Sequence, residues 1–151
     1  MTFGRAVSTC LRKYFVLSGR APRSKFWWFF LASIGFGLLI GILDAGLYGL
    51  SREPGPIELI GNFLILCPSI TVAVRRLHDT DRSGWYILVP LPAAALAIAV
   101  GAILGPSMGQ SVSILVGLIL ATGFLLPIWW YTRPTSPTTN RYGPNPLEVT
   151  P

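Results

Sequence analysis

A stretch of 50 residues without a charged side chain, between Arg82 and Arg133, constrains the fold of this chain more than any other feature. As one helix it would be about 75 Å long, at about 1.5 Å per residue, whereas the hydrocarbon core of a bilayer is about 30 Å thick. The stretch must therefore fold back on itself inside a membrane. A soluble globule, a disordered chain and a nucleic-acid-binding protein are all disfavoured, the last despite a net charge of +6.

Hydropathy and turn residues predict four membrane spans, each about 20 residues long, as one spanning helix requires. Continuous apolar runs without alternation exclude the strands of a membrane barrel. Short connections rich in glycine and proline make neighbouring spans antiparallel. The predicted fold class is an all-α membrane protein with four transmembrane helices in an antiparallel bundle. The spans cover residues 26–50, 57–74, 85–104 and 111–131.

The two ends of the chain differ from this transmembrane domain, which occupies residues 26–131. Residues 1–25 are basic, and their apolar side chains recur at helical spacing, which predicts a short amphipathic helix on the inner membrane surface. Residues 132–151 contain five prolines and no apolar periodicity, so we expect an extended, partly disordered tail. Cys10 and Cys67 lack the spacing of metal ligands, and we expect no disulfide, no metal and no cofactor.

Lysine and arginine are distributed unevenly between the two sides of the predicted bundle. Eleven of the twelve lie in the N-terminal segment, the second connection or the tail, and only Arg52 lies in a connection on the other side. Positive residues in short loops mark the cytoplasmic side. We therefore expect a multi-pass protein of the bacterial inner membrane with both termini in the cytoplasm.

Small residues recur at every fourth position in three spans, which predicts close packing between helices. The three sets are Ser33, Gly37, Gly41, Ala45 and Gly49; Ala93, Ala97, Gly101 and Gly105; and Ser113, Gly117 and Ala121.

Two polar side chains lie inside the first two spans at similar depth. Asp44 and Asn62 are each about six residues from the outer end of their span, which predicts a hydrogen bond between them. An intramembrane carboxyl group is a candidate proton relay or cation ligand, as in a small transporter or channel subunit. A purely structural, hydrated or paired carboxylate is the alternative.

Two basic segments, residues 18–28 and 75–85, enter the membrane on the predicted cytoplasmic side. Their arginine forks, hydroxyls and aromatic rings suit a phosphate headgroup or another anionic ligand. The candidate binding residues are Arg20, Arg23, Arg75, Arg76, His78, Asp79, Arg82 and Trp85. An enzymatic interpretation makes His78 a base oriented by Asp79, but adjacent residues rarely face each other and no nucleophile motif accompanies them. We therefore name no catalytic residue.

Three sequence motifs carry a family resemblance: SGRAPRSKFWWF, VRRLHDTDRSGW and NRYGPNP, in that order. Over about residues 11–147 the chain resembles the bacterial inner-membrane family known as domain of unknown function 805. The resemblance implies a multi-pass inner-membrane protein and supplies no activity. The family usually has an acid where Lys25 stands and often a glycine where Asp81 stands. If the family's acid pairs with an arginine of the middle motif, a pair between Lys25 and Asp81 restores that contact with the two charges exchanged. We therefore expect Lys25 and Asp81 to form an ion pair.

The leading functional expectation is a non-catalytic protein whose arginine-rich face binds anionic membrane lipids or a partner membrane protein. The first alternative is a transporter or channel subunit that uses Asp44 and Asn62 and assembles as a homo-oligomer. An enzyme acting on phosphate-bearing lipids is the third interpretation, and nucleic acid is not an expected partner.

Overall fold

A computed structural model describes residues 2–49 and 53–148, and for residues 105–108 it describes the backbone alone. Leu50 at the end of the predicted first span, Ser51 and Arg52 of the predicted connection, and the last three residues of the predicted tail lie outside this part of the chain. The described part is helical and contains no strand, only an isolated bridge between Asn140 and Gly143.

Five α-helices and one short 3-10 helix form the fold. The helices are α1 (Phe3–Arg12), α2 (Arg23–Tyr48), α3 (Pro56–Asp79), α4 (Pro90–Met108) and α5 (Gln110–Thr132), with the 3-10 helix at Gly84–Leu88. Four segments are long and apolar enough to cross a membrane: α2, α3, the segment Gly84–Leu104, and α5. The predicted all-α membrane fold with four transmembrane helices is confirmed, as is the amphipathic helix near the N-terminus.

Proline determines where two of the spanning helices begin. Pro56 occupies the first turn of α3 and Pro90 the first position of α4, where the missing N–H has no partner to lose. The 3-10 helix precedes Pro90 and is capped by Ser83, whose hydroxyl accepts from the backbone of Trp85 at 3.4 Å. The third span therefore starts with a tight turn of 3-10 helix before continuing as α4.

The spanning helices pair as two antiparallel hairpins, α2 with α3 and α4 with α5. Within the described residues the hairpins meet near one end, where the 3-10 helix contacts α3 and where α5 contacts α2 and α3. We call this the terminal end: residues 13–22, the last turns of α3 and tail residues 133–148. The buried apolar core lies here and includes Cys10, Ala21, Phe26, Phe29, Val72, Ala73, Leu77, Trp130 and Tyr131.

Helix α3 is longer than the predicted second span. It continues past Val74 to Asp79, so most of the motif that we expected in a connection is helical. Asp81 then has a φ of 59°, and the N–H groups of Asp81 and Arg82 donate to the carbonyls of His78 and Leu77. This is a Schellman closure of the helix. The helix therefore extends beyond the predicted membrane span, and packing of the terminal end stabilises the additional turn.

The small residues pack as predicted in α4 and not in the other two helices. Ala97 of α4 is buried, and Gly101 faces Val116 of α5. Gly37 and Gly41 of α2 and Gly117 of α5 have no atom near the place of a Cβ. The predicted close packing is therefore wrong for these three glycines within this chain. Glycines that the sequence pattern missed make the contacts instead: Gly61 admits Ile40, and Gly123 faces Ala93.

The tail has no helix, as expected, but residues 133–148 are held against the terminal end by specific hydrogen bonds. The N–H of Ser136 donates to the Asp79 carbonyl at 3.0 Å, and Asn140 Nδ2 donates to the His78 carbonyl at 2.9 Å. The structure thus differs from the expected partial disorder at these residues, because several polar groups of the tail bind α3 and Arg20.

Candidate functional site

The terminal end collects most of the sequence-predicted site residues, and Asp79 lies at its centre. The carboxylate accepts from Arg20 Nε at 3.1 Å, from Arg76 Nη1, and from the Thr135 hydroxyl at 2.8 Å. The side chains of Arg20, Arg76 and Asp79 are at most 1% exposed. A carboxylate between two guanidinium groups is thus sealed from solvent inside the protein.

Main-chain carbonyls of the tail and of the end of α5 bind the remaining nitrogens of the two arginines. Arg20 donates to the carbonyls of Ser136 at 2.7 Å and Thr138 at 2.8 Å. Arg76 donates to the carbonyl of Tyr131 at 3.1 Å and to that of Arg133. Because these donors are satisfied internally, Arg20, Arg76 and Asp79 tie the three segments of the terminal end together, and their polar atoms face one another.

His78 lies beside this cluster and contacts residues of the other two motifs, SGRAPRSKFWWF and NRYGPNP. Its Nδ1 is 3.2 Å from the Gly19 carbonyl, and its ring stacks on Tyr142 with the ring centres 3.8 Å apart and the planes at 3°. The imidazole does not contact the carboxylate of Asp79, whose partners are two arginines and Thr135. His78 and Asp79 therefore do not form the base and orienter of the enzymatic interpretation.

A cavity of about 400 Å³ opens next to the His78 ring. Its walls are largely apolar and include Leu17, Ile70, Val74, Gly84, Trp85 and Tyr142. The Trp85 side chain is 78% exposed at the edge of this cavity. His78 and Trp85 are thus brought together, away from the buried arginines.

The other predicted binding arginines lie at the rim or under α1. Arg23 is exposed, and its Nε donates to the Arg133 carbonyl at 2.6 Å. Arg82 is half-buried, with its guanidinium 5.6 Å from the centre of the Trp130 ring. Arg75 is 1% exposed and faces Cys10 of α1, one helical turn before Asp79 in α3.

Asp44 and Asn62 are separated at the other end of the bundle. Asp44 Oδ1 accepts from the backbone N–H of Ile57 at 3.0 Å and of Glu58 at 3.3 Å, so it caps the first turn of α3. Asn62 is exposed one turn further along and does not bond to Asp44. The predicted hydrogen bond is wrong because the nearby helix N-terminus offers Asp44 unpaired donors.

The expected pair between Lys25 and Asp81 is also wrong. Asp81 lies 3.6 Å from Arg141 of the tail, and both side chains are largely exposed. Lys25 is half-buried in the first turn of α2, and the charges of Arg75 and Lys13 act on it.

Sequence reasoning missed several residues that complete this end of the bundle. Thr135, Asn140 and Tyr142 belong to the tail, which we expected to be largely free, and Lys25 and Cys10 belong to the N-terminal segment. The third motif, NRYGPNP, contains Asn140 and Tyr142 and was the sequence feature that pointed to this part of the tail. No group of histidine, cysteine, aspartate or glutamate in the described part of the chain is arranged to hold a metal ion.

Comparison with known proteins places the whole arrangement in a family. The family described as "Protein of unknown function (DUF805)" matches residues 14–144, which include the first two motifs and the third as far as Pro144. "Inner membrane protein YhaH" of Escherichia coli K12 is 32% identical over 138 residues, covering 90% of this chain and 91% of that protein. "Inner membrane protein YhaI" of the same strain is 38% identical over 84 residues, covering 54% and 68%. No solved structure matches this chain. The chain is therefore a member of the DUF805 family of inner-membrane proteins.

Proposed function

We propose that this protein is a non-catalytic inner-membrane protein whose terminal end faces the cytoplasm and binds anionic phospholipid headgroups at its rim. The rim consists of the cations around the buried Asp79 cluster. We count here the exposed or half-buried cations of α1, the start of α2, the segment after α3 and the end of α5: Arg5, Arg12, Lys13, Arg23, Arg82 and Arg133. None of them has an ion-pair partner in the described part of the chain.

The observation that carries the proposal is the pairing of rim cations with interfacial aromatic rings. The Arg133 guanidinium lies 4.2 Å from the centre of the Trp129 ring, and Arg82 lies over Trp130. Trp27 and Trp129 are exposed on the outside of the helices. Tryptophan at this position marks the headgroup level, so the neighbouring guanidinium groups are at the depth of lipid phosphates.

The two alternatives receive less support from the side-chain contacts. A transporter or channel built on Asp44 has to release that carboxylate from the first turn of α3, which it caps. An enzyme built on His78 lacks the orienting carboxylate, since Asp79 is bound by two arginines. Cytoplasmic orientation is supported by the uneven distribution of lysine and arginine, which is the sequence property that determines topology.

Lipid exchange measured by native mass spectrometry tests the proposal. The protein is presented with equal amounts of phosphatidylglycerol and phosphatidylethanolamine, and the bound population is counted. The double variant Arg23→Gln, Arg133→Gln is expected to lower the preference for phosphatidylglycerol by about 5-fold per charge at low salt.

Arg141→Gln serves as the matched control, because this exposed arginine already pairs with Asp81. An unchanged lipid preference in the double variant contradicts the proposal. Reporter fusions at both ends test the orientation: a fluorescent protein is expected to be active at each terminus, and a periplasmic phosphatase inactive.

A further inference from the structure

We propose that Arg75 and Lys25 form an internal binding site for the phosphate group of one phospholipid, with an acyl chain seated in the groove beneath α1. The site is separate from the rim but rests on the proposed function, because the ligand class is the same.

Arg75 is the one buried cation of the described residues whose terminal nitrogens lack a partner. Its Nε donates to the Thr71 carbonyl at 3.2 Å, while Nη1 and Nη2 are buried without an oxygen or nitrogen partner and have only the Cys10 thiol, a weak acceptor, beside the side chain. Arg20 and Arg76, which are equally buried, share Asp79 as counter-charge. A buried guanidinium without such a partner is unfavourable, so an anion at Nη1 and Nη2 is the ligand that the site lacks within the chain.

The side chains around Arg75 add positive charge and no negative charge. Lys25 of α2 is close enough to Arg75 for the two charges to act on each other, and Lys13 acts on Lys25 from the end of α1. The Cys10 thiol touches the same space, but burial raises its pKa and keeps it protonated. Exposed Lys13, half-buried Lys25 and buried Arg75 therefore form a cationic path from the surface inward.

The forked guanidinium with a nearby ammonium suits a phosphate group. Nη1 and Nη2 point in parallel and match two oxygens of one phosphate, and the ammonium binds as a point charge. Lys25 directly precedes the aromatic run that begins at Phe26, so it lies at the level of lipid headgroups. A phospholipid phosphate is already present at this depth.

An apolar groove of about 430 Å³ lies between α1, α2 and α3, and residues next to the site in α1 and α2 line it. It is lined by Leu11, which follows Cys10, and by Phe29, one helical turn after Lys25, with Leu64 on the opposite wall. Tyr14 bridges the groove by donating to the Leu64 carbonyl. A phosphate at Arg75 with a hydrocarbon chain in this groove satisfies both halves of the site, whereas free phosphate satisfies only one.

The test uses the full-length protein in detergent, with phosphatidylglycerol and inorganic phosphate as separate probes. Native mass spectrometry is expected to show one phosphatidylglycerol retained under activation that removes the others. Arg75→Gln is expected to weaken that lipid by about 10-fold or more, and Lys25→Gln to weaken it less. Arg75→Gln removes an unpaired buried charge, so the variant is expected to fold, which its thermal unfolding checks.

Each outcome supports or overturns the assignment. Arg141→Gln must retain the lipid as the unmodified protein does. Retention by Arg75→Gln overturns the site, and equal stabilisation by inorganic phosphate alone overturns the phospholipid assignment. The rim variant Arg23→Gln, Arg133→Gln is expected to keep the single retained lipid. If the rim variant loses its preference for phosphatidylglycerol and Arg75→Gln still retains the single lipid, the proposed function stands and this site is overturned. If the rim variant keeps its preference and Arg75→Gln loses the single lipid, this site stands and the proposed function is overturned.

Discussion

Arg20 Nε lies 3.1 Å from Asp79 Oδ1, although 59 residues separate the two in the chain. The contact joins the segment before α2 to the end of α3, and the tail closes over both through its carbonyl groups. One acid thereby organises two cations and three chain segments. The arrangement explains why the two helical hairpins meet at this end of the bundle.

Removal of the Asp79 charge is expected to destabilise the protein strongly. Asp79→Asn leaves Arg20 and Arg76 buried without a counter-charge, and loss of one partner from a buried ion pair costs about 3–5 kcal/mol. Thermal unfolding in detergent measures the effect. Asp81→Asn is the control, because its pair with Arg141 is exposed and exposed pairs contribute about 0–1 kcal/mol. Equal midpoints for the two variants contradict the prediction.

Asp44 is expected to act as a helix cap. Asp44→Ala removes the acceptor for the N–H groups of Ile57 and Glu58 and is expected to cost about 1 kcal/mol. Asp44→Asn keeps a side-chain carbonyl oxygen and should retain most of the stability. Asn62→Ala should be neutral, since Asn62 is exposed and does not bond to Asp44. A loss in Asn62→Ala as large as in Asp44→Ala, measured by thermal unfolding, speaks against the cap.

Gly123 is expected to be required for the contact between α4 and α5. A Cβ at this position lies against the Cβ of Ala93, so Gly123→Ala overpacks the interface and is expected to cost about 1–3 kcal/mol. Gly117 of the same helix has open space around it, and Gly117→Ala should leave stability unchanged or raise it slightly. The prediction fails if the two variants unfold at the same temperature.

The Cys10 thiol is expected to react slowly with maleimide. Burial raises its pKa, so the reactive thiolate forms only at a higher pH than in an ordinary cysteine. The sign for stability follows: above the usual thiol pKa the unfolded chain loses this proton while the folded chain keeps it, so stability falls as pH rises. Maleimide labelling of a Cys67→Ala variant is measured across pH, first with folded and then with denatured protein. The two rate profiles give the Cys10 pKa in each state, and the difference determines both the slow reaction and the loss of stability at high pH. Equal rates in the two states contradict the assignment.

Much of the architecture follows from local sequence properties. The apolar runs predict four spans with starts near those observed, because in lipid each helix must satisfy its own backbone. The start of α1 at Phe3 likewise follows from apolar spacing. Asp44 was recognised as unusual, but its bonding partner was not, since the choice between Asn62 and the first turn of α3 depends on how the connection positions that turn.

The sequence by itself determined that this chain spans a membrane as four helices with its cations concentrated beside the spans, because hydropathy and charge act residue by residue. Only the tertiary structure decided which cations are buried and bound by partners inside the protein. Arg20, Arg75 and Arg76 are alike in sequence terms, yet two of them share Asp79 and the third lies buried beside Lys25 without an acid. That difference depends on side-chain direction around α3 and on where the tail returns, and neither property is local in the sequence.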